Sequence, residues 1–255
     1  MLPVCRPNRG SYVVGFNNID IKAGQFYLLA TQFDKTGTET PGAIDMNELI
    51  KLSDSIVPGT FDDGFVTAPQ IQVLNSTGTG YFMYYYISDA TDENDDPLGY
   101  DCWADDGGYE LKPENMLTMG EGFWFKSLTA GSMSFAGQVK GEASAVQTVP
   151  AGRFYIMSNP FPTAFSLANV LTTGLTPGLF DDGFMTAPQI QVLNATGTGY
   201  FMYYYISDAT DDNDDAVGYD CWADDGGYIL EGNQVQPGAS FWIKSPTAGS
   251  IGFNL

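Results

Sequence analysis

The chain has 255 residues, 31 Asp and Glu against 10 Lys and Arg, a net charge of −21 and no histidine. Such a balance argues against nucleic acid and anionic membrane surfaces as partners, because both require basic patches. The missing histidine excludes Ser-His-Asp and Cys-His catalysis and histidine-ligated zinc, and no apolar run has the length of a membrane-spanning helix.

Taken in chain order, the sequence predicts strands almost throughout. Residues 1–11 read as an N-terminal arm, and Ser11–Ile21 is β-rich. Gln25–Gln32 is a strand by its aromatic and aliphatic content. Asp45–Leu52 reads as a short helix with Asp45 as its N-cap, and Ser166–Leu171 as another. Ile71–Asn75 and Tyr81–Ser88 flank the turn residues Ser76-Thr77-Gly78-Thr79-Gly80 and form a hairpin. A second hairpin is expected between Phe123–Ser127 and Ser132–Val139.

Residues 61–109 recur at 180–228 with 44 of 49 positions identical. The five differences are Val66/Met185, Ser76/Ala195, Glu93/Asp212, Pro97/Ala216 and Leu98/Val217. The correspondence extends outward with more drift: Ala23–Leu29 matches Ala151–Met157, and Gly122–Ser127 matches Ser240–Ser245. A repeat of this length marks two copies of one module. The expected fold is all-β, two tandem sandwich or barrel-like modules over 12–138 and 139–255, with one or two short helices. The strand 132–139 leads directly into module 2, which favours a fixed orientation of the two modules. The chain ends then read as loose halves of such a joint, able to meet head to tail between subunits and, without closure, to make a filament.

Each near-identical block carries ten acids and no Lys or Arg. Massed carboxylates repel unless they are neutralised. Asp89, Asp92, Asn94, Asp95, Asp96 and Asp101, with Asp208, Asp211, Asn213, Asp214, Asp215 and Asp220 in the second copy, form the candidate metal set. Dense Asp and Asn oxygens suit calcium, which takes six to eight such ligands, although the spacing is not that of an EF-hand. The alternative is a solvated acidic face that keeps the protein soluble.

The run Tyr81-Phe82-Met83-Tyr84-Tyr85-Tyr86 puts aromatics on both faces of one strand. Alternation assigns Phe82, Tyr84 and Tyr86 to a core and turns Tyr81 and Tyr85 outward, toward sugar rings, a neighbouring subunit or cross-strand partners. Trp124 and Trp242 read as core, with the following Lys126 and Lys244 amines reaching solvent. Cys102 and Cys221 are equivalent, and Cys5 lies in the arm. An odd count points to a disulfide between subunits through Cys5 or to free thiols, with a lipid anchor at Cys5 as another reading. Asn75-Ser76-Thr77 and Asn194-Ala195-Thr196 fit the glycosylation pattern, yet each also stands where a hairpin turn prefers Asn. Paired carboxylates recur, but two copies of one active site in a chain of this size would be unusual, so no catalytic residue is assigned.

The step Asn159-Pro160-Phe161-Pro162-Thr163, the aromatic hairpin Ile190–Tyr205, the run Gly120–Lys126 and the segment Phe135–Val139 together resemble a little-characterised family of secreted bacterial tandem β-modules. Module 1 departs from that pattern at Thr31-Gln32-Phe33. The resemblance implies a secreted β protein and no established activity. The expectation is an extracellular structural protein, a self-assembling homopolymer subunit stabilised by Ca2+, not an enzyme. The other reading is a cell-surface module that binds glycans.

Overall fold

In the computed structural model of the protein, residues 14–30, 32–34, 43–44, 46–111, 117–118, 121–139, 144–159, 161–232 and 234–254 are described. The arm 1–11 with Cys5, and the expected N-cap Asp45, lie outside them.

Module 1 runs β1 (Val14–Ile21), β2 (Phe26–Ala30), β3 (Phe33–Asp34), β4 (Ala43–Ile44), the single-turn helix α1 (Met46–Leu49), β5 (Ile50–Leu52), β6 (Gln70–Leu74), β7 (Tyr81–Ile87), β8 (Cys102–Ala104), β9 (Leu117–Thr118), β10 (Gly122–Lys126) and β11 (Gly131–Val139). Module 2 runs β12 (Ser144–Val149), β13 (Phe154–Ser158), β14 (Leu171–Thr173), β15 (Gln189–Leu193), β16 (Tyr200–Ile206), β17 (Cys221–Ala223), β18 (Ser240–Lys244) and β19 (Gly249–Asn254). Each module is a sandwich of two antiparallel sheets. One sheet is five-stranded, ordered β2-β10-β6-β7-β8 in module 1 and β13-β18-β15-β16-β17 in module 2. The other is built on the last strand of its module: β11 takes β1, β3 and β5, and β19 takes β12 and β14.

Alternation explains the layers. Ile71 and Val73 of β6 are buried while Gln70, Gln72 and Leu74 are not. The buried set meets Phe123 and Phe125 of β10, then Met133 and Phe135 of β11 across the core. Val192, Ile190, Phe241, Ile243, Ile251 and Phe253 repeat the arrangement in module 2. The hairpin turn at Asn75 is fixed locally. Asn75 Oδ1 accepts from the Thr77 hydroxyl at 2.8 Å and from the Thr79 N–H at 3.1 Å, so this Asn serves the turn.

Several sequence expectations are corrected. Phe123–Ser127 and Ser132–Val139 do not form a hairpin: β10 and β11 belong to different sheets, because both flanking segments carry inward aromatics that must face each other across the core. The expected helix 45–52 is one turn followed by β5, and Ser166 caps only a 3-10 turn at Leu167–Asn169. The strand expected at 132–139 is β11, and it closes module 1. β11 and β12 lie in different sheets, and the terminal strands are not loose halves, since β1 pairs with β11 over eight residues and β19 pairs with both β12 and β14.

The modules meet through the outer faces of their five-stranded sheets in a pseudo-two-fold contact. Trp124 faces its own counterpart Trp242, with ring centroids 6.5 Å apart. The turn residue Gly78 lies against Arg153, and its counterpart Gly197 against Gln25, the residue equivalent to Arg153. Arg153 also donates to the Thr77 carbonyl at 2.6 Å. Near the axis, the Ala30 N–H donates to the Gly238 carbonyl at 2.9 Å, and Ser240 Oγ donates to the Leu29 carbonyl at 2.7 Å. A Cβ on Gly122 would stand 2.1 Å from Ile156 Cγ2, so only glycine permits this approach. Trp124 and Trp242 therefore pack at the joint and are only partly buried; the fully buried indoles are Trp103 and Trp222. The departure at Gln32 also has a place here. Its side-chain amide is buried and donates to the Phe161 carbonyl of module 2 at 2.5 Å. In module 2 the equivalent corner is closed internally, by Asn159 Nδ2 donating to the Thr163 carbonyl and Asn159 Oδ1 accepting from the Phe161 N–H.

Candidate functional site: twin aromatic and acidic grooves

The acidic block forms a set of side-chain-specified turns at the β7/β8 end of each module. Asp89 accepts the N–H groups of Phe61 and Asp62 at 2.7 and 3.2 Å, which ties the segment after Gly59 to the end of β7. Asp92 Oδ1 accepts from the Asn94 and Asp96 N–H groups at 2.8 and 3.0 Å. Asp105 Oδ1 accepts from those of Gly107 and Tyr109 at 2.9 and 3.0 Å. The Asp92 and Asp105 contacts are local carboxylate turns, whereas Asp89 joins segments far apart in the chain; all satisfy backbone donors that no strand reaches. Asp95 adopts a left-handed φ of 64°, which Asp tolerates, and accepts from the Tyr109 hydroxyl at 2.7 Å. Module 2 repeats the pattern: Asp208 with Phe180 and Asp181, Asp211 with Asn213 and Asp215, Asp224 with Gly226 and Tyr228, and Asp214 with the Tyr228 hydroxyl.

These bonds set the local proton affinities. The Asn213 and Asp215 N–H groups hold the Asp211 carboxyl below the ordinary carboxylate range. Hydrogen bonding to Asp95 and to Asp214 pushes the Tyr109 and Tyr228 hydroxyls up. Of the candidate metal set, Asp89, Asp92 and Asp95 and their counterparts Asp208, Asp211 and Asp214 are thus seen accepting backbone or tyrosine hydrogens. Asn94, Asp96, Asp101, Asn213, Asp215 and Asp220 are exposed around them. Among the described residues, no three Asp, Glu or Cys side chains are gathered as a metal site.

The aromatic strand is arranged differently from the simple alternation. Tyr86 packs on Trp103 and Tyr84 against the edge of the core, as expected. Phe82, on the same face, is 58 % exposed. Tyr85 is not turned to solvent: its ring stacks on Phe65 at 4.0 Å and 11°. Phe65 is held there by a left-handed φ of 62° in the turn after Phe61. That stack covers a small second core with Ala68, Ile87 and Cys102. Lys126 and Lys244 do not simply reach solvent either; each amine sits over a phenylalanine ring, 4.8 Å from Phe26 and 5.2 Å from Phe154.

The uncovered end of β7 becomes the wall of a groove of about 590 Å³, lined by Tyr81, Phe82, Met83, Tyr84, Asp105, Asp106, Leu111, Leu117 and Glu121, with Tyr155 contributed by module 2. Module 2 carries its equivalent, about 710 Å³, at Tyr200, Phe201, Met202, Tyr203, Asp224, Asp225 and Leu230, extended by Asp212, Asp214, Tyr228, Glu231 and Gln234. Burial first, then Glu121, Asp105 and Asp106, push the Tyr84 hydroxyl up, which keeps it a donor facing those carboxylates. Burial, Asp224 and Asp225 do the same to Tyr203. The sequence reading assigned Phe82 and Tyr84 to a core and Asp105 and Asp106 to a general acidic block. Nothing local says that this end of the strand is left open.

Cys102 is a buried free thiol pushed up to about 12, chiefly by burial, and Cys221 is a free thiol only partly buried. Neither is disulfide-bonded. The two differ with one of the five substitutions in the block: Leu98 packs in the Cys102 cluster, and the smaller Val217 takes its place beside Cys221.

No protein-family model and no curated protein matches the chain.

Proposed function

We propose that the protein is an extracellular carbohydrate-binding protein with one glycan groove in each module. The reading rests on one observation: the same groove, lined by an exposed phenylalanine, a tyrosine and two aspartates, is built twice on the same strand of each sandwich. Aromatic faces stack on the C–H faces of sugar rings, and tyrosine and carboxylate groups bond their hydroxyls. Two grooves fixed on one rigid body give avidity toward a polymer. A glycan array followed by calorimetry tests this. Phe82→Ala with Phe201→Ala abolishes the binding, and each single variant leaves one site. An array with no bound glycan would sink the reading.

A structural, self-assembling subunit is the second reading, favoured by β1 and β12. Among the described residues each is an edge strand of its sheet, and Phe16 and Val146 on them are largely exposed. In that reading assembly proceeds by edge-to-edge strand addition, and calcium acts as a counter-ion between acidic blocks of neighbouring subunits. Electron microscopy of concentrated protein with and without calcium tests it. Discrete particles in both conditions would exclude it.

A further inference from the structure

We propose that the two grooves select sugars bearing a free, protonated amino group over neutral or N-acetylated sugars; this rests on the carbohydrate reading above. Three observations support the choice. First, among the described residues no lysine or arginine lines either groove, whereas Asp105, Asp106 and Glu121 line one and Asp224, Asp225 and Glu231 the other. A neutral sugar entering there would strip water from several carboxylates and return no compensating charge. An ammonium group would offset that cost with charge-assisted hydrogen bonds. Second, the carboxylates line the same groove as aromatic rings, Phe82 with Tyr84 and Phe201 with Tyr203, so a ring bearing a cation finds apolar and anionic partners in one place. Third, the same combination recurs in both grooves: Phe82 and Tyr84 with Asp105 and Asp106 in one, Phe201 and Tyr203 with Asp224 and Asp225 in the other.

The test is titration calorimetry of the whole chain with two oligomers of equal length, one of β-linked glucosamine with free amines and one fully N-acetylated. The free-amine oligomer binds at least tenfold tighter, and its advantage shrinks as salt is raised, since the groups are near solvent. In a variant carrying Asp105→Asn, Asp106→Asn, Asp224→Asn and Asp225→Asn the preference disappears. Asparagine keeps the acceptor oxygen that holds the Gly107 and Tyr109 turn, so the fold is preserved, and an unchanged circular dichroism melt checks that. Equal or tighter binding of the acetylated oligomer overturns the amine preference and leaves the carbohydrate reading standing. Binding of neither overturns the amine preference, and the glycan array then decides the carbohydrate reading. An oligolysine of matching charge is the control: if it binds as tightly, and Phe82→Ala with Phe201→Ala leaves that affinity unchanged, the grooves are general cation sites and the sugar part fails.

Discussion

The near-identical half of each module and the half that docks the modules are built by different rules. In the acidic half, Asp89 and Asp208 hold their Phe N–H partners at the same 2.7 Å, and Asp105 and Asp224 hold theirs within 0.1 Å of one another. Each turn depends on one carboxylate reaching named backbone donors, so few substitutions are neutral there. In the docking half, Leu28 is replaced by Ile156 and Gly122 by Ser240, yet the strands pair in the same register. A ladder asks only for backbone and an apolar pattern, so that half drifts freely. At Gly122 a side chain would collide with Ile156 of the other module, so module 1 holds glycine where module 2 carries Ser240.

The largest expected effect contrasts the two kinds of tryptophan. Trp103→Ala or Trp222→Ala empties a fully buried site and costs about 3–5 kcal/mol in urea denaturation. Trp124→Ala, at the partly buried joint, costs clearly less and leaves each sandwich core intact. A smaller loss from Trp103 than from Trp124 would reverse the assignment of core and joint. Next, Gly122→Val drives a side chain into Ile156 and Ser240 and costs about 1–3 kcal/mol. Small-angle scattering should then show the modules separated or reoriented, while far-ultraviolet circular dichroism is retained.

Asp105→Ala leaves the Gly107 and Tyr109 amides without their acceptor, for about 1–2 kcal/mol, and hydrogen exchange should accelerate at that turn alone. The pH dependence of the same turns has a definite sign. The folded value of Asp211 is lowered, so its contribution is present above the unfolded range near about 3.9 and fades as pH falls through the folded value. That of Tyr228 is raised, so its contribution is present below about 10 and is lost as pH rises through the folded value. Amide chemical shifts of Asn213 and Asp215 follow the first, and ultraviolet titration of Tyr228→Phe against the parent follows the second. The smallest effect separates the modules by one methylene. Alkylation at mildly alkaline pH should reach Cys221 before Cys102, and Val217→Leu should slow it.

Much of this was legible locally. The duplication, the all-β class, the β6/β7 hairpin and its Asn75 turn are all written within a few residues of where they act. The groove was not. Phe82 and Tyr86 occupy the same face by alternation, and sequence cannot say that Tyr86 packs on Trp103 while Phe82 stays exposed. The acids were visible as density, but their division into turn acceptors and groove wall follows from where each backbone donor lies.

What the sequence determined by itself is therefore the repeated module and its turns, because hydrogen bonds between residues two to four apart depend only on residue type and spacing. The tertiary structure decided which tryptophan is core, which aromatic faces the groove, and that the modules dock about a two-fold axis through Trp124 and Trp242. Both faces of these strands are apolar enough to be buried. Only the partner surface, absent from any local pattern, chooses between them.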